Sequence, residues 1–244
     1  RSRFLDALER ELRAAARGGR VKAVFLLPSG AGPFARILDR DRREELARAA
    51  TESGLVIIEN DALGPVAPRR PPPVASFAPE SSFYFTGLSK CLSPGLRLGF
   101  LAMPESLAEA ALNRHLSVAW MATPLMAEIA QDWIDSGIAD ALLAAQRTEL
   151  AGRNRLAQRL LGNRSHGFLH GLHRWLPLPP GTNEQALLER GLNHDLALAP
   201  GAGFAILESP PALRLCLGGP PLRDLERGLE RLAELLPPMP PTEP

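Results

Sequence analysis

The chain has 244 residues, 45% of them apolar and 23% charged, so it can bury a substantial core as one large domain or two small ones. Its 28 basic and 27 acidic residues leave a formal charge of +1. That balance gives no field to attract nucleic acid or an anionic membrane, so this segment is not itself the DNA-binding part of anything.

The only cysteines, Cys91 and Cys216, are far apart and lack metal-ligand spacing. They form no disulfide framework and fit a reducing, cytoplasmic setting. No signal-peptide pattern and no apolar run long enough to span a bilayer is present.

Apolar residues at helical spacing from Phe4 to Ala16, followed by Gly18-Gly19, predict a helix and its stop. Val21 to Leu27 and Leu55 to Ile58 read as buried strands flanking a helix over about Arg40 to Ser53. The proline-rich stretch Gly64 to Pro73 reads as a loop, and strands are predicted at Ser82 to Phe85 and Leu98 to Met103. This alternation indicates an α/β layer with a mostly parallel sheet.

From Glu105 the pattern becomes helical: Glu105 to His115, Pro124 to Ser136 and a long segment from Ile138 to about Leu161. A smaller α+β portion follows, with strands near Trp175 to Leu178, Leu196 to Leu198 and Leu213 to Leu217. Its last helix covers Pro221 to Leu236, before a frayed proline-rich tail. The domain boundary is placed inside the long helix, giving 1–150 and 151–244.

The tract from Phe83 to Phe100 holds Lys90, one of two lysines beside 26 arginines. A guanidinium cannot be deprotonated, whereas an amine can add to a carbonyl, so Lys90 is the candidate nucleophile. An ordinary lysine is almost fully protonated at neutral pH, so this role expects Lys90 to be held out of water, near Arg97. The strand Phe83 to Phe85 runs into Thr86, Gly87 and Ser89, a polar turn of the kind found at the carboxyl edge of a sheet. Pro94-Gly95 reverses the chain, and Arg97 stands alone between Leu96 and Leu98, where burial would require an anionic partner. Lysine, small hydroxyls and this arginine make a cradle for a phosphorylated carbonyl compound.

The form S-K-x-L-x-P-G-L-R-L-G in this tract resembles the cofactor-lysine motif of fold-type-I pyridoxal-phosphate aminotransferases of class I/II. It is most like the aminotransferase-type domain of MocR regulators, a branch of the GntR family. Similarity extends through Val21 to Gly64, Ser117 to Ala130 and Leu213 to Gly219. The resemblance implies a partial fold-type-I transferase large domain with a mostly parallel sheet, plus a small C-terminal α+β domain. It implies that Lys90 forms the covalent link to pyridoxal 5'-phosphate and Arg97 binds its phosphate, with Thr86 and Ser89 as further donors. Arg214 would pair with a substrate α-carboxylate through its planar fork. A homodimer with an amino acid or amine as substrate or effector follows by the same resemblance.

Four departures bear on the chemistry. The family pattern places an acid against the pyridine nitrogen, in a run E-D-D followed closely by tyrosine; here the run is Glu59-Asn60-Asp61-Ala62-Leu63. Asn60 takes the usual acidic place, Asp61 is either its substitute or a turn carboxylate, and no phenol follows. Gly32 stands where an asparagine contacts the cofactor ring, and Gly87 replaces a frequent phosphate-binding serine.

Arg214 has a structural ion pair as its alternative. His170 and His173 read as loop histidines rather than metal ligands. The family's upstream phosphate turn, stacking aromatic residue and winged helix are not found before Phe4, so the chain is expected to be a fragment, with DNA contacted only through an upstream domain. Two readings follow: an aminotransferase-type domain of a MocR-like regulator, or a non-catalytic sensor of the cofactor and an amine.

Overall fold

A computed structural model describes residues 3–17, 19, 21–30, 35–205 and 209–237. Gly32 and the tail beyond 237 lie outside the described residues. The chain divides into two units, residues 1–31 with 37–146 and residues 32–36 with 147–244.

The first unit begins with helix α1 (Arg3–Arg17) and strand β1 (Ala23–Leu26). Helix α2 (Arg40–Glu52) then crosses to β2 (Val56–Asn60), with β3 (Ser82–Gly87) and β4 (Gly99–Ala102) completing a four-stranded sheet in the order β1-β2-β3-β4. The first three strands are parallel and β4 runs antiparallel to β3. Asp39 caps α2, its carboxylate accepting from the Arg42 N–H at 3.0 Å, which satisfies one donor that the first turn leaves open. The buried side of α2, with Leu46, Ala47 and Ala50, packs on Leu55, Ile57 and Val74. Along β2 burial alternates: Ile57 and Glu59 are fully buried, while Val56, Ile58 and Asn60 are half-buried, the period-two signature of a strand covered mainly on one face.

Helices α3 (Ala108–Ala119) and α4 (Pro124–Asp135) and the start of α5 (Ile138–Leu161) complete this unit. Many of their apolar side chains are open to solvent: Val118 is 78% exposed and Leu125 64%, and Trp120, just after α3, is 74% exposed. On the sheet, Phe25 and Leu101 are similarly uncovered.

The division into units falls within α5, between Gln146 and Arg147. In the second unit, β5 (His173–Pro177), β6 (Ala199–Pro200) and β7 (Ala212–Cys216) form an antiparallel sheet in the order β5-β7-β6. Helix α7 (Leu222–Leu235) lays Leu225, Leu229 and Leu232 along one stripe against Leu176, Leu213 and Leu217. The strand predicted at 196–198 lies instead at Ala199–Pro200. Helix α6 (Glu184–Leu192) was not foreseen; Asn183 caps it by accepting from the Ala186 N–H at 3.0 Å.

Candidate functional site

Parallel pairing brings the carboxyl ends of β2 and β3 side by side, with Asn60 opposite Phe85 and the Asp61 N–H donating to the Phe85 carbonyl at 2.9 Å. Asn60, Asp61 and Thr86 are thereby gathered at one edge of the sheet, where the Thr86 hydroxyl donates to the Asp61 carbonyl at 3.2 Å. Open α/β sheets present their ligand sites at this edge.

The two candidates for the ring nitrogen are committed differently. Asp61 is fully buried, and its carboxylate accepts from the Tyr84 hydroxyl at 2.9 Å and pairs with Arg70. Gly64 lies so close to this carboxylate that a side chain there would collide with it. The side-chain oxygen of Asn60 accepts from the Ala62 N–H at 3.1 Å, an Asx turn that fixes the amide at the strand end. No motif marks Tyr84 or Arg70 as partners of Asp61; the signals in the sequence are the chain's single tyrosine, on β3, and the basic pair Arg69-Arg70 in the loop that follows Asp61.

After β3 the backbone tightens into a turn in which the Leu92 and Ser93 N–H groups donate to the Leu88 carbonyl at 2.9 and 3.1 Å. Leu88, Cys91 and Leu96 are buried and anchor the loop, so Ser89 and Lys90 fall on its outer side. Gln146 donates to the Lys90 carbonyl at 2.9 Å. The Lys90 side chain is exposed, which departs from the expectation of an amine held out of water. The physical reason is local: the apolar neighbours take the inward positions of the turn.

Arg97, which ends the 3-10 turn Pro94–Leu96, is exposed too and adopts φ 54°, a left-handed conformation costly for a residue with a side chain. The Leu88 N–H meets the Leu98 carbonyl at 3.2 Å, and a Cβ on Gly87 would stand only 3.0 Å from that oxygen. Glycine at 87 therefore permits the close return of the chain that carries Arg97.

In the second unit Arg214 lies on β7 opposite Trp175 of β5. Its guanidinium stands 5.2 Å from the centre of the Phe204 ring, and Nη2 is 3.3 Å from Nδ1 of the buried His173. Trp175 meets the same Phe204 edge-on at 6.0 Å. No carboxylate among the described residues lies within ion-pair distance of Arg214, so the structural ion pair is absent there. His170 is half-buried, and burial, then Arg147 and Arg155, push its pKa below the ordinary value. No cluster of metal-ligating side chains occurs among the described residues, and none of their helices is long and apolar enough to cross a membrane.

Residues 4–232 match the family model for aminotransferase class I and II. An uncharacterized HTH-type transcriptional regulator of Bacillus subtilis, YdeF, is 29% identical over 233 residues, 92% of this chain and 50% of that protein. The 2-aminoadipate transaminase of Thermus thermophilus is 27% identical, covering 82% of this chain and 52% of the enzyme. Among solved structures, the kynurenine aminotransferase of Pyrococcus horikoshii superposes with a TM-score of 0.85 at 22% identity, over 94% of this chain and 60% of that one. The fold is thus the α/β fold of the pyridoxal-phosphate aminotransferases, present in part. The chain spans about half the length of the curated relatives it matches.

Proposed function

We propose that this chain, which belongs to the aminotransferase class I and II family, is a pyridoxal-phosphate domain that acts on or binds an amino acid, within a MocR-like transcription regulator. The observation that carries this reading is the set of donor side chains that the first unit places at the end of β3 and in the turn after it; separately, Arg214 in the second unit has no acid within ion-pair distance among the described residues. Thr86, Ser89 and Lys90 belong to the end of β3 and its loop, with Arg97 at the end of the 3-10 turn that precedes β4. Hydroxyls, an amine and a guanidinium suit a phosphorylated aldehyde. When bound, the cofactor supplies an electrophilic aldehyde and an electron sink.

In this reading Lys90 is the covalent anchor and the base that moves the α-proton, Arg97 holds the phosphate with Ser89 and Thr86, and Arg214 receives the α-carboxylate. Phe204 and His173 keep the Arg214 fork in place without neutralising it. The exposed apolar side chains of α3 and α4 support burial against a second copy in a homodimer or against parts of the protein outside this chain. Similarity to a regulator whose length is twice the matched span supports a DNA-binding domain beyond these residues.

A second reading, a cofactor-dependent amine sensor without turnover, is favoured by one observation. Asn60 cannot give a full proton to a ring nitrogen, and the Asp61 carboxylate is already engaged by Tyr84 and Arg70. Proton-dependent stabilisation of a carbanion is weakened accordingly. Visible absorption of the full-length protein with added pyridoxal phosphate, compared with Lys90→Ala, tests the shared claim: a shifted band in the parent and only free aldehyde in the variant is expected. Identical spectra would remove Lys90 from its role. Single-turnover assays with mixed amino acids then separate the readings, since amination of the cofactor requires the enzyme and its absence at full occupancy leaves the sensor.

A further inference from the structure

The second unit buries a guanidinium that the amino-acid site does not use. Arg174 is the β5 residue between His173 and Trp175, so it points to the sheet face away from Trp175 and Arg214. It is 5% exposed, and its donors reach only neutral acceptors. Nε donates to the Ser165 hydroxyl at 2.9 Å, Nη1 to the Asn154 side-chain oxygen at 3.3 Å, and Nη2 to the Gln158 side-chain oxygen and the Ser165 carbonyl, both at 2.8 Å. A guanidinium has five N–H groups, and one on Nη1 is left over. No carboxylate among the described residues lies within ion-pair distance.

Burial with no opposite charge is unfavourable for a cation and pushes the Arg174 pKa down from its ordinary value. The neutral acceptors hold the fork rigid while leaving its charge undiminished. Gly167 helps to close the loop over it, because a Cβ there would stand 3.0 Å from Cγ of Arg174.

Arg174 borders a cleft of about 400 Å³, which Arg36, Asn163 and His166 also line. Arg36 belongs to the same unit, is exposed, and has no acidic partner among the described residues. The cleft therefore presents two permanent positive charges and donor side chains, with no acid among the described residues that line it. Two guanidinium charges match an anion of nearly two charges, which a phosphomonoester carries near neutrality. A bare oxyanion would leave much of the volume empty, whereas small-molecule sites begin at about 300 Å³.

We propose that this cleft binds a small phosphate-bearing molecule, with Arg174 as its buried fixed cation and Arg36 as its exposed one. The site is separate from Arg97, the proposed anchor of the cofactor phosphate in the first unit, and stands independently of the amino-acid site.

The test is calorimetric titration of the full chain with inorganic phosphate, glycerol 3-phosphate and acetate at constant ionic strength. Saturable binding of one phosphate group per chain is expected, with acetate much weaker. Arg36→Gln should weaken it about tenfold, the loss of one charge-assisted hydrogen bond. Arg174→Gln should abolish it with an unchanged circular dichroism spectrum; should that variant not fold, Arg36→Gln carries the test alone. Tighter binding of the ester assigns a phosphorylated metabolite, and equal binding assigns free phosphate; either supports the site. Binding lost in Arg97→Gln but kept in Arg36→Gln would put the ion in the cofactor site and overturn the proposal, as would equal heats with acetate or no saturable binding at millimolar phosphate.

Discussion

Both units bury an arginine, but they treat its charge in opposite ways. In the first unit Arg43 is 0% exposed and stands 3.7 Å from the equally buried Glu59, with further bonds to the Leu38 and Pro28 carbonyls and the Ser29 hydroxyl. In the second, Arg174 has oxygen acceptors alone and faces a cleft. The contrast separates two uses of a buried cation. Arg43 ties α2 to β2 and to the loop after β1, and its charge ends inside the protein; the charge on Arg174 is left for something else to meet.

The largest consequence is expected at the closed pair. Arg43→Leu leaves Glu59 as an uncompensated buried carboxylate, and breaking such a pair costs about 3–5 kcal/mol. Urea denaturation should show that loss directly. A cost below about 1 kcal/mol would mean that the Glu59 charge finds water or another partner, and the contrast between the units would dissolve. Arg174→Leu is expected to cost less, about 1–3 kcal/mol, because it orphans neutral acceptors rather than a charge. Added phosphate should stabilise the parent chain and leave this variant unchanged, which thermal denaturation would report.

Much of the architecture was legible from the sequence because it depends on pattern. Apolar runs at β1, β2 and β3, the intervening helix α2 and the antiparallel return after Pro94-Gly95 follow from period and turn chemistry. Helix α6 escaped because its nine residues are too few for a periodic stripe, although the cap Asn183 and Glu184 announced it. The strand before β7 escaped in register because two residues of extended backbone leave no alternation to read.

The motif around Lys90 points to the carboxyl edge of the sheet, yet it could not reveal which side chains the turn sends outward. Leu88 and Cys91 compete with Lys90 for the interior, and in this chain they take it. The commitment of Asp61 to Tyr84 and Arg70 depends on partners 23 and 9 residues away, so no local pattern encodes it. The bare charge of Arg174 was equally invisible, since an unpaired cation is defined by what fails to approach it.

The smallest expected effect concerns pH, and it sharpens the same contrast. Burial, partly offset by the Ala75 N–H at 2.8 Å and by Arg43, holds the Glu59 carboxyl above its ordinary range. A raised folded pKa means that the folded state binds this proton more tightly than the unfolded chain does. The contribution therefore favours the fold fully below the unfolded carboxyl's value and is lost as pH rises through the folded one. Glu59→Gln has no such proton, so the parent chain should lose stability relative to this variant as pH rises from the ordinary carboxylate range. Urea midpoints of both proteins across that range give the slope of the difference. The acceptors around Arg174 are amides, a hydroxyl and a carbonyl, none of which titrates there, so the Arg174 cluster adds nothing to that slope. A slope of opposite sign would show that attraction to Arg43 outweighs burial at Glu59, making the closed pair a source of stability at neutral pH rather than a fixed cost of the fold.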